Sequence, residues 1–349
     1  MNLWKAVGKM GIVTALALMA VSTASAKKYN IRWVLIHEPS DVVEQAAKDF
    51  AARLDKRTGG DLHVEVLTRS EYKSKYNKGE TISQKAALDA VEAGQLEMCQ
   101  AYTHTIGLRD NQLWVLDMPY LFRDYEHAER VIEGPIGAKL RKSVQDSMNL
   151  QALAITYSGG FGVFATTGRE IHKPSDMSRL RTMVPNTPVF RNMAVALNLE
   201  PLVVPAEGFV PLAEKDLVDA HETTPARFEE LQEFRAAKVL VNTNHFMLTS
   251  MVVMNKNFLA SLPENYRKII QEEILETARF ERRRSIEANR EALGRMAQRG
   301  VKVIDLTAAE KEAFVAALQP VYSKVGRLVG DDVVTAIRET KSGSVTARR

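Results

Sequence analysis

Apolar and polar residues alternate along the first hundred residues in patterns typical of strands and helices. A strand-like run predicts a strand over 29–36, and alternation predicts another over 62–67. A spacing of three to four residues predicts a helix over 41–56 between them. A second helix is predicted over 82–93, and a further strand over 96–102. Strand, helix and strand within about 40 residues form a βαβ unit, the building block of a parallel sheet.

A second block of mixed elements begins near residue 159. Its predicted elements are strands over 161–167 and 180–184, a helix over 188–197, an extended segment over 201–204, a helix over 207–215 and a strand over 218–220. The apolar stretch 239–254 is strand-like and long enough to connect two domains. Beyond Pro263 the pattern predicts a helix to about residue 299, then a strand over 301–306 and a helix over 308–339. Within the first of these helices, the charged run 281–284 predicts a solvated surface.

The N-terminal residues 1–26 have the parts of a secretory signal peptide. Lys5 and Lys9 supply the positive start, residues 10–21 are apolar, and a small-x-small pattern ends the segment. An uncleaved membrane anchor is the alternative, but the apolar run is shorter than the roughly 20 residues that span a bilayer. We therefore expect an exported mature chain that begins near Lys27.

The composition narrows the class of protein further. Of 349 residues, 45% are hydrophobic and 26% are charged, which is typical of globular domains, and the length allows two of them. The 47 Lys and Arg against 43 Asp and Glu are scattered along the chain, which argues against a nucleic-acid-binding surface. The single cysteine, Cys99, excludes an internal disulfide and a multi-cysteine zinc site.

Motifs for catalysis are missing from the sequence. There is no nucleophile elbow, phosphate-binding loop or His-Glu-x-x-His, and no two of the seven histidines are spaced i,i+4 as in helical metal sites. We therefore expect no cofactor, no metal and no enzyme activity. For an exported α/β hydrolase-like enzyme, the alternative, His221 and Glu222 are the best acid–base pair, but neighbours on a strand point to opposite faces. A solute receptor fits better.

Short motifs in a consistent order extend over nearly the whole expected mature chain. The longest is LDMPYLFRDYEH at 116–127, similar to LPFLFRDYEHA in one family of receptors. The others are Gly159-Gly160-Phe161, Lys173-Pro174-Ser175-Asp176, Val184-Pro185-Asn186, Val218-Asp219-Ala220-His221-Glu222 and Thr243-Asn244-His245. Together they resemble the periplasmic solute-binding subunits of TRAP transporters, the DctP-like family.

The resemblance implies a two-domain α/β fold of the periplasmic-binding-protein type, with a hinge-linked cleft and long C-terminal helices. Domain I is expected to comprise 27–158 plus about 247–286, and domain II 159–246 plus about 287–339, with a disordered tail over 340–349. It also implies a monomer in the periplasm that captures a small polar solute by domain closure and delivers it to the small and large TRAP membrane subunits. A ligand-sensing partner of a signalling receptor with the same fold is a further alternative.

Two arginines that hold a carboxylate in most members of that family are replaced here. The position before Val-Pro-Asn is Met183, and the position after Gly-Gly-Phe is Gly162. Three hypotheses follow. Arg181, on the same strand face as Met183, takes over the carboxylate; or the solute is not a simple carboxylate, with Glu222 available for an amine; or the protein binds little.

Ten residues are predicted to contact the solute. Three lie where a strand ends, the place at which ligands bind to open α/β sheets, and the others come from the family motifs or the neighbouring strand ends. They are Gln100, Tyr102, Thr105, Phe161, Arg181, Met183, Asn186, His221, Glu222 and Thr223. Thr223 stands where an asparagine is common in the family, whereas Asn186 matches the family residue.

Overall fold

The computed structural model describes residues 29–36, 41–203 and 208–341. In these ranges the strands are β1 (Tyr29–Leu35), β2 (Leu62–Thr68), β3 (Met98–Tyr102), β4 (Leu150–Phe161), β5 (Val163–Thr166), β6 (Arg181–Met183), β7 (Glu200–Leu202), β8 (Ala220–Thr223), β9 (Val239–Asn242), β10 (Met247–Asn255) and β11 (Lys302–Asp305). The expected leader, all but two residues of the expected tail, and parts of the segments predicted over 201–204 and 207–215 lie outside the described residues.

The α-helices connect these strands and cover the sheets. Within the described part of the chain they are α1 (Asp41–Thr58), α2 (Arg69–Lys75), α3 (Gln84–Glu92), α4 (Thr103–Ile106), α5 (Tyr125–Glu133), α6 (Pro135–Ser147), α7 (Pro188–Ala196), α8 (Phe209–Ala213), α9 (Pro225–Glu230), α10 (Lys256–Ser261), α11 (Glu264–Arg295), α12 (Ala308–Val329) and α13 (Asp331–Glu339). The long C-terminal helices that the resemblance implied are α11 and α12.

Two mixed sheets organise the molecule. The first has the strand order β2-β1-β3-β10-β4, with β1 parallel to β2 and β3, and β10 antiparallel to β3 and β4. The second has the order β11-β9-β5-β8-β6-β7, in which β6 runs parallel to β8 and β7 while β5 is antiparallel to β8 and β9. The predicted α/β class and the predicted β1–α1–β2 unit are confirmed.

The chain crosses between the sheets through β4–β5 and through β9–β10. Because β9 belongs to the second sheet and β10 to the first, the apolar stretch 239–254 does connect two halves of the molecule, as predicted. Each sheet thus contains strands from separate parts of the sequence. The exact domain limits stay a prediction. Near the end of the described residues, α13 contacts α6 of the first half, with Lys139 Nζ 2.9 Å from Asp332 Oδ2.

Strand β4 was not predicted, although it is the longest strand of the described residues. Its sequence, LQALAITYSGGF, contains alanines and a glycine pair in place of the alternating β-branched residues that mark most strands. Its pairing with β10 is also interrupted. Between the pairs Ser250–Thr156 and Leu248–Gly160, β10 advances two residues while β4 advances four. Residues 157–159 therefore bulge out of the sheet.

Helix α11 supplies hydrogen-bond partners for the backbone around this bulge. The amide of Tyr157 donates to Glu281 Oε2 (2.9 Å), and Arg282 Nη1 donates to the carbonyl of Ile155 (3.0 Å). Glu281 and Arg282 are only 1% and 3% exposed. The prediction of a solvated surface over 281–284 is thus wrong for these two residues, because buried backbone groups of β4 face that side of the helix.

Asn289, two turns further along α11, joins both halves. Its Nδ2 donates to the carbonyl of Gly159, and its Oδ1 accepts from the amide of Ala226 (3.0 Å) in the first turn of α9. Gly159 has φ +100°, and a Cβ there would overlap the Thr224 side chain. The glycine is therefore required both by its backbone angle and by the close approach of the β8–α9 connection.

We expect Gly159→Ala to lower the free energy of unfolding by about 2 kcal/mol or more, because it adds positive-φ strain to the overlap with Thr224. Urea denaturation of the purified protein measures this. Gly168→Ala is the matched control: a Cβ at Gly168 meets open space, so a change within about 0.5 kcal/mol is expected. Equal losses in the free energy of unfolding for the two variants would contradict the requirement for glycine at position 159.

The buried Glu281 carboxyl predicts a pH-dependent stability. Burial raises its pKa from 4.5 to about 7. The folded state then binds this proton more tightly than the unfolded state, so the contribution of Glu281 to the free energy of unfolding falls by roughly 3 kcal/mol as pH rises from 4.5 to 7. Glu281→Gln keeps an oxygen for the Tyr157 amide and removes this decrease. Urea denaturation at a series of pH values measures the free energy of unfolding of wild type and variant. If the two curves run parallel over this pH range, the assignment of the decrease to Glu281 is wrong.

Candidate functional site

A cavity of about 310 Å³ lies between the two sheets, at the carboxyl ends of β2, β3, β6 and β8. From the first half it is lined by Arg69, Ser83, Gln84, Tyr102, His104 and Thr105. From the second half it is lined by Met183, Val184, Pro185, His221, Glu222 and Thr223 on or after the strand ends. Arg227 and Glu233 follow β8, and Phe246 and Leu248 come from the β9–β10 connection and β10. Ligands of open α/β sheets bind at this position.

Six of the ten residues predicted to contact a solute line this cavity, namely Tyr102, Thr105, Met183, His221, Glu222 and Thr223. Gln100, Phe161, Arg181 and Asn186 are not among its lining residues. Gln100 is buried in the first sheet, where its Nε2 donates to Thr156 Oγ1 and Ser250 Oγ, both at 2.9 Å. It therefore ties β3, β4 and β10 together.

Phe161 and Asn186 also have neighbours away from the cavity. The Phe161 ring packs against Tyr125, with 4.8 Å between the ring centroids. Asn186 Oδ1 accepts a hydrogen bond from the Arg191 side chain at the exposed start of α7. The structure thus gives both residues a structural role beside the cleft.

Arg181 does not reach the cavity. Its Nε donates to Asp219 Oδ2 (2.9 Å), and its Nη2 donates to Asp219 Oδ1 (2.6 Å) and Asp216 Oδ1 (2.7 Å). It shares a face with Met183 as predicted, but it lies at the amino end of β6, about 7 Å farther from the cleft. The hypothesis that Arg181 replaces the missing carboxylate anchor is not supported by this arrangement.

His221 and Glu222 are each paired with a different residue. His221 Nε2 lies 2.9 Å from Glu233 Oε2, and its ring stacks on Phe209 with centroids 4.2 Å apart. Glu222 Oε1 lies 3.1 Å from His245 Nε2. The two side chains therefore do not act on one substrate as an acid–base pair, as the opposite faces of a strand require.

The Glu222 side chain is largely buried beside the cavity. It is only 2% exposed, and its Oε1 pairs with His245, whereas its Oε2 has no hydrogen-bond partner in the described ranges. A role for this carboxylate toward an amine of the solute stays a prediction.

Two arginines, one from each half, line the cavity although sequence reasoning did not find them. Arg69 is the first residue of α2, directly after β2, and its Nε donates to the carbonyl of Ile82 (3.0 Å). Arg227 lies on α9, is 8% exposed, and has its guanidinium carbon 5.7 Å from the centroid of the Tyr102 ring. Both follow the carboxyl end of a strand, a position that they share with several of the predicted residues and with other arginines of the chain.

His104, beside Tyr102, is held neutral. Burial, together with the nearby charge of Arg227, lowers the pKa of His104 to about 4. Its ring stacks on Tyr102 with centroids 4.9 Å apart. This part of the cavity therefore presents an uncharged aromatic surface next to a guanidinium group.

The space in front of Gly162 is filled by Phe246. A Cβ at Gly162 would overlap the Phe246 ring, and the Gly162 amide donates to the Phe246 carbonyl (2.9 Å). The ring lines the cavity beside Leu248. An aromatic wall thus stands where the family resemblance led us to look for an arginine.

In the described ranges, no group of three or more His, Cys, Asp or Glu side chains is placed to hold a metal ion. No helix described here is long and apolar enough to cross a membrane.

Two sheets joined by crossing strands around a cleft define the class of two-domain solute-binding proteins. Residues 34–327 match the family described as "Bacterial extracellular solute-binding protein, family 7", DctP, and the chain belongs to this family. It is a family of transport solute-binding proteins and not of enzymes, and its members bind small solutes and work with TRAP membrane subunits.

Relatives and solved structures agree with this family. The C4-dicarboxylate-binding periplasmic protein DctP of Rhodobacter capsulatus is 26% identical over 330 residues, covering 93% of this chain and 95% of that protein. A TRAP periplasmic solute-binding protein from Pseudomonas putida F1, with bound D-glucuronate, has a TM-score of 0.81 at 21% identity, covering 90% and 98% of the two chains. One from Shewanella oneidensis, with bound succinate, has a TM-score of 0.80 at 22% identity, covering 89% and 98%.

Proposed function

We propose that this protein captures a small organic acid in the cavity between the two sheets and delivers it to TRAP membrane subunits. The observation that carries this proposal is the presence of Arg69 and Arg227, from opposite halves, in one cavity. A planar guanidinium binds a carboxylate through two parallel hydrogen bonds. A solute held by both arginines stabilises the closed arrangement, because those contacts exist only when the two halves meet.

The ligands of the relatives support an acidic solute. The Rhodobacter capsulatus protein is named for C4-dicarboxylates, and the Pseudomonas putida and Shewanella oneidensis structures hold D-glucuronate and succinate. In this chain Met183 and Gly162 carry no charge, so the cationic contribution comes from other elements. Arg69 and Arg227 take that role in our proposal.

The finer assignments are part of the same proposal. Residues 1–26 direct export and are cleaved, and the mature chain acts in the periplasm as a monomer. It releases the solute chemically unchanged to the small and large membrane subunits. Related proteins that bear the word periplasmic in their names support the location.

We expect Arg227→Met to weaken binding of the organic acid by roughly 10- to 100-fold, because one charge-assisted hydrogen-bonding group is lost. Isothermal titration of the mature chain measures this, with a panel of short mono-, di-, hydroxy- and sugar acids. Arg227→Lys keeps the charge but not the planar guanidinium group, so its affinity for the acid should lie between those of Arg227→Met and the wild type.

Arg181→Met is the matched comparison, since it removes an arginine whose partners are Asp219 and Asp216. Its dissociation constant should equal that of the wild type. Loss of binding in Arg181→Met with full binding in Arg227→Met would reverse the assignment of the anchor. Failure of every acid in the panel to bind the wild type would refute the proposed function.

A further inference from the structure

The cavity has chemically different ends. The guanidinium of Arg227 lies over the Tyr102 ring, and Tyr102 stacks on His104. The row of rings continues edge-on from His104 to Phe190 (6.0 Å between centroids) and from Phe190 to Phe246 (5.3 Å). The guanidinium of Arg227 therefore lies at one end of this row of rings, and the apolar ring of Phe246 forms the other end.

Several residues that line the cavity have apolar side chains. Met183, Val184 and Leu248 line the cavity together with Phe246, and none of the four offers a strong hydrogen-bonding group. Because the Phe246 ring fills the space in front of Gly162, a polar side chain has no room at that position.

The polar lining residues of β8 each have a partner in the protein, while Glu222 Oε2 and Glu233 Oε1 have no hydrogen-bond partner in the described ranges. His221 is held by Glu233, and Glu222 by His245. The hydroxyl of Thr223 lies 3.4 Å from the carbonyl of Thr224. A second carboxylate of a solute, brought to the Phe246 end, would lose its water without gaining a charged partner.

We propose that the solute is an amphiphilic monocarboxylic acid, with its carboxylate at Arg69 and Arg227 and its apolar end against Phe246, Leu248, Val184 and Met183. This rests on the proposed function, since it takes the cavity as the solute site. It goes further by excluding dicarboxylates and polyhydroxylated sugar acids as preferred solutes. Phe246, in the space that Gly162 leaves open, is then the residue that determines specificity.

A matched pair of probes tests this directly. 4-Methylpentanoate and succinate have the same number of non-hydrogen atoms and similar shape, but one ends in two methyl groups where the other ends in two carboxylate oxygens. Isothermal titration of the mature wild-type chain should give a dissociation constant at least tenfold lower for 4-methylpentanoate than for succinate. D-Glucuronate should bind more weakly than 4-methylpentanoate by a similar factor.

The Phe246 variants test the contact itself. Phe246→Ala should weaken 4-methylpentanoate binding by tenfold or more and change succinate binding by less than threefold. Because Phe246 is buried, Phe246→Leu serves as a milder variant with an intermediate loss, and thermal melting checks that each variant is folded. Leu108→Ala removes an exposed apolar side chain outside the cavity and should leave both dissociation constants unchanged.

The outcomes separate this inference from the proposed function. If succinate or D-glucuronate binds the wild type more tightly than 4-methylpentanoate, and Arg227→Met abolishes that binding, the cavity is an acid site but the apolar-end inference is overturned. It is also overturned if folded Phe246 variants bind 4-methylpentanoate as tightly as the wild type. If no acid binds at all, the proposed function itself fails.

Discussion

The arrangement of the two halves depends on buried backbone groups that β4 cannot pair within its own sheet. Around the bulge at 157–159, hydrogen-bonding groups are removed from both the ladder and water, and leaving them unpaired would cost the full desolvation free energy. Helix α11 provides the partners through Glu281, Arg282 and Asn289. Asn289 also accepts a hydrogen bond from the amide of Ala226 at the start of α9. The residue that pairs with the β4 backbone therefore also positions the helix that carries Arg227.

This connection explains how a hinge and a binding site are joined in one molecule. The crossing strand β4 and the long helix α11 belong to the junction, and α9 leads from that junction directly into the cavity. Arg69 reaches the same cavity from the end of β2 in the first half. In the proposed function, a solute that contacts both arginines therefore stabilises the closed arrangement.

Periodicity was sufficient for elements whose side chains alternate or recur regularly, such as β1, α1 and β2 and the stretch that became β9 and β10. It failed for β4, whose alanines and glycines pack against a helix and whose bulge interrupts the pattern. It also failed for Glu281 and Arg282, because burial of a charged residue depends on what packs against it and not on its own helix. For the site, the strand-end rule together with the family motifs located six lining residues. It did not single out Arg69 and Arg227, because choosing among many arginines requires the three-dimensional neighbours.

The pair Gly162 and Phe246 bears on the hypothesis that this protein binds little. If a large side chain at position 162 had been lost without compensation, a void would remain, and a void of that size costs several kcal/mol of stability. Instead the Phe246 ring occupies the space so closely that even a Cβ at 162 would overlap it. Met183 likewise packs into the core of the second half, while guanidinium groups enter the cavity from α2 and α9. A packed apolar end opposite a cationic end, as we propose, favours a rebuilt site over an eroded one, because erosion has no reason to refill the space at position 162.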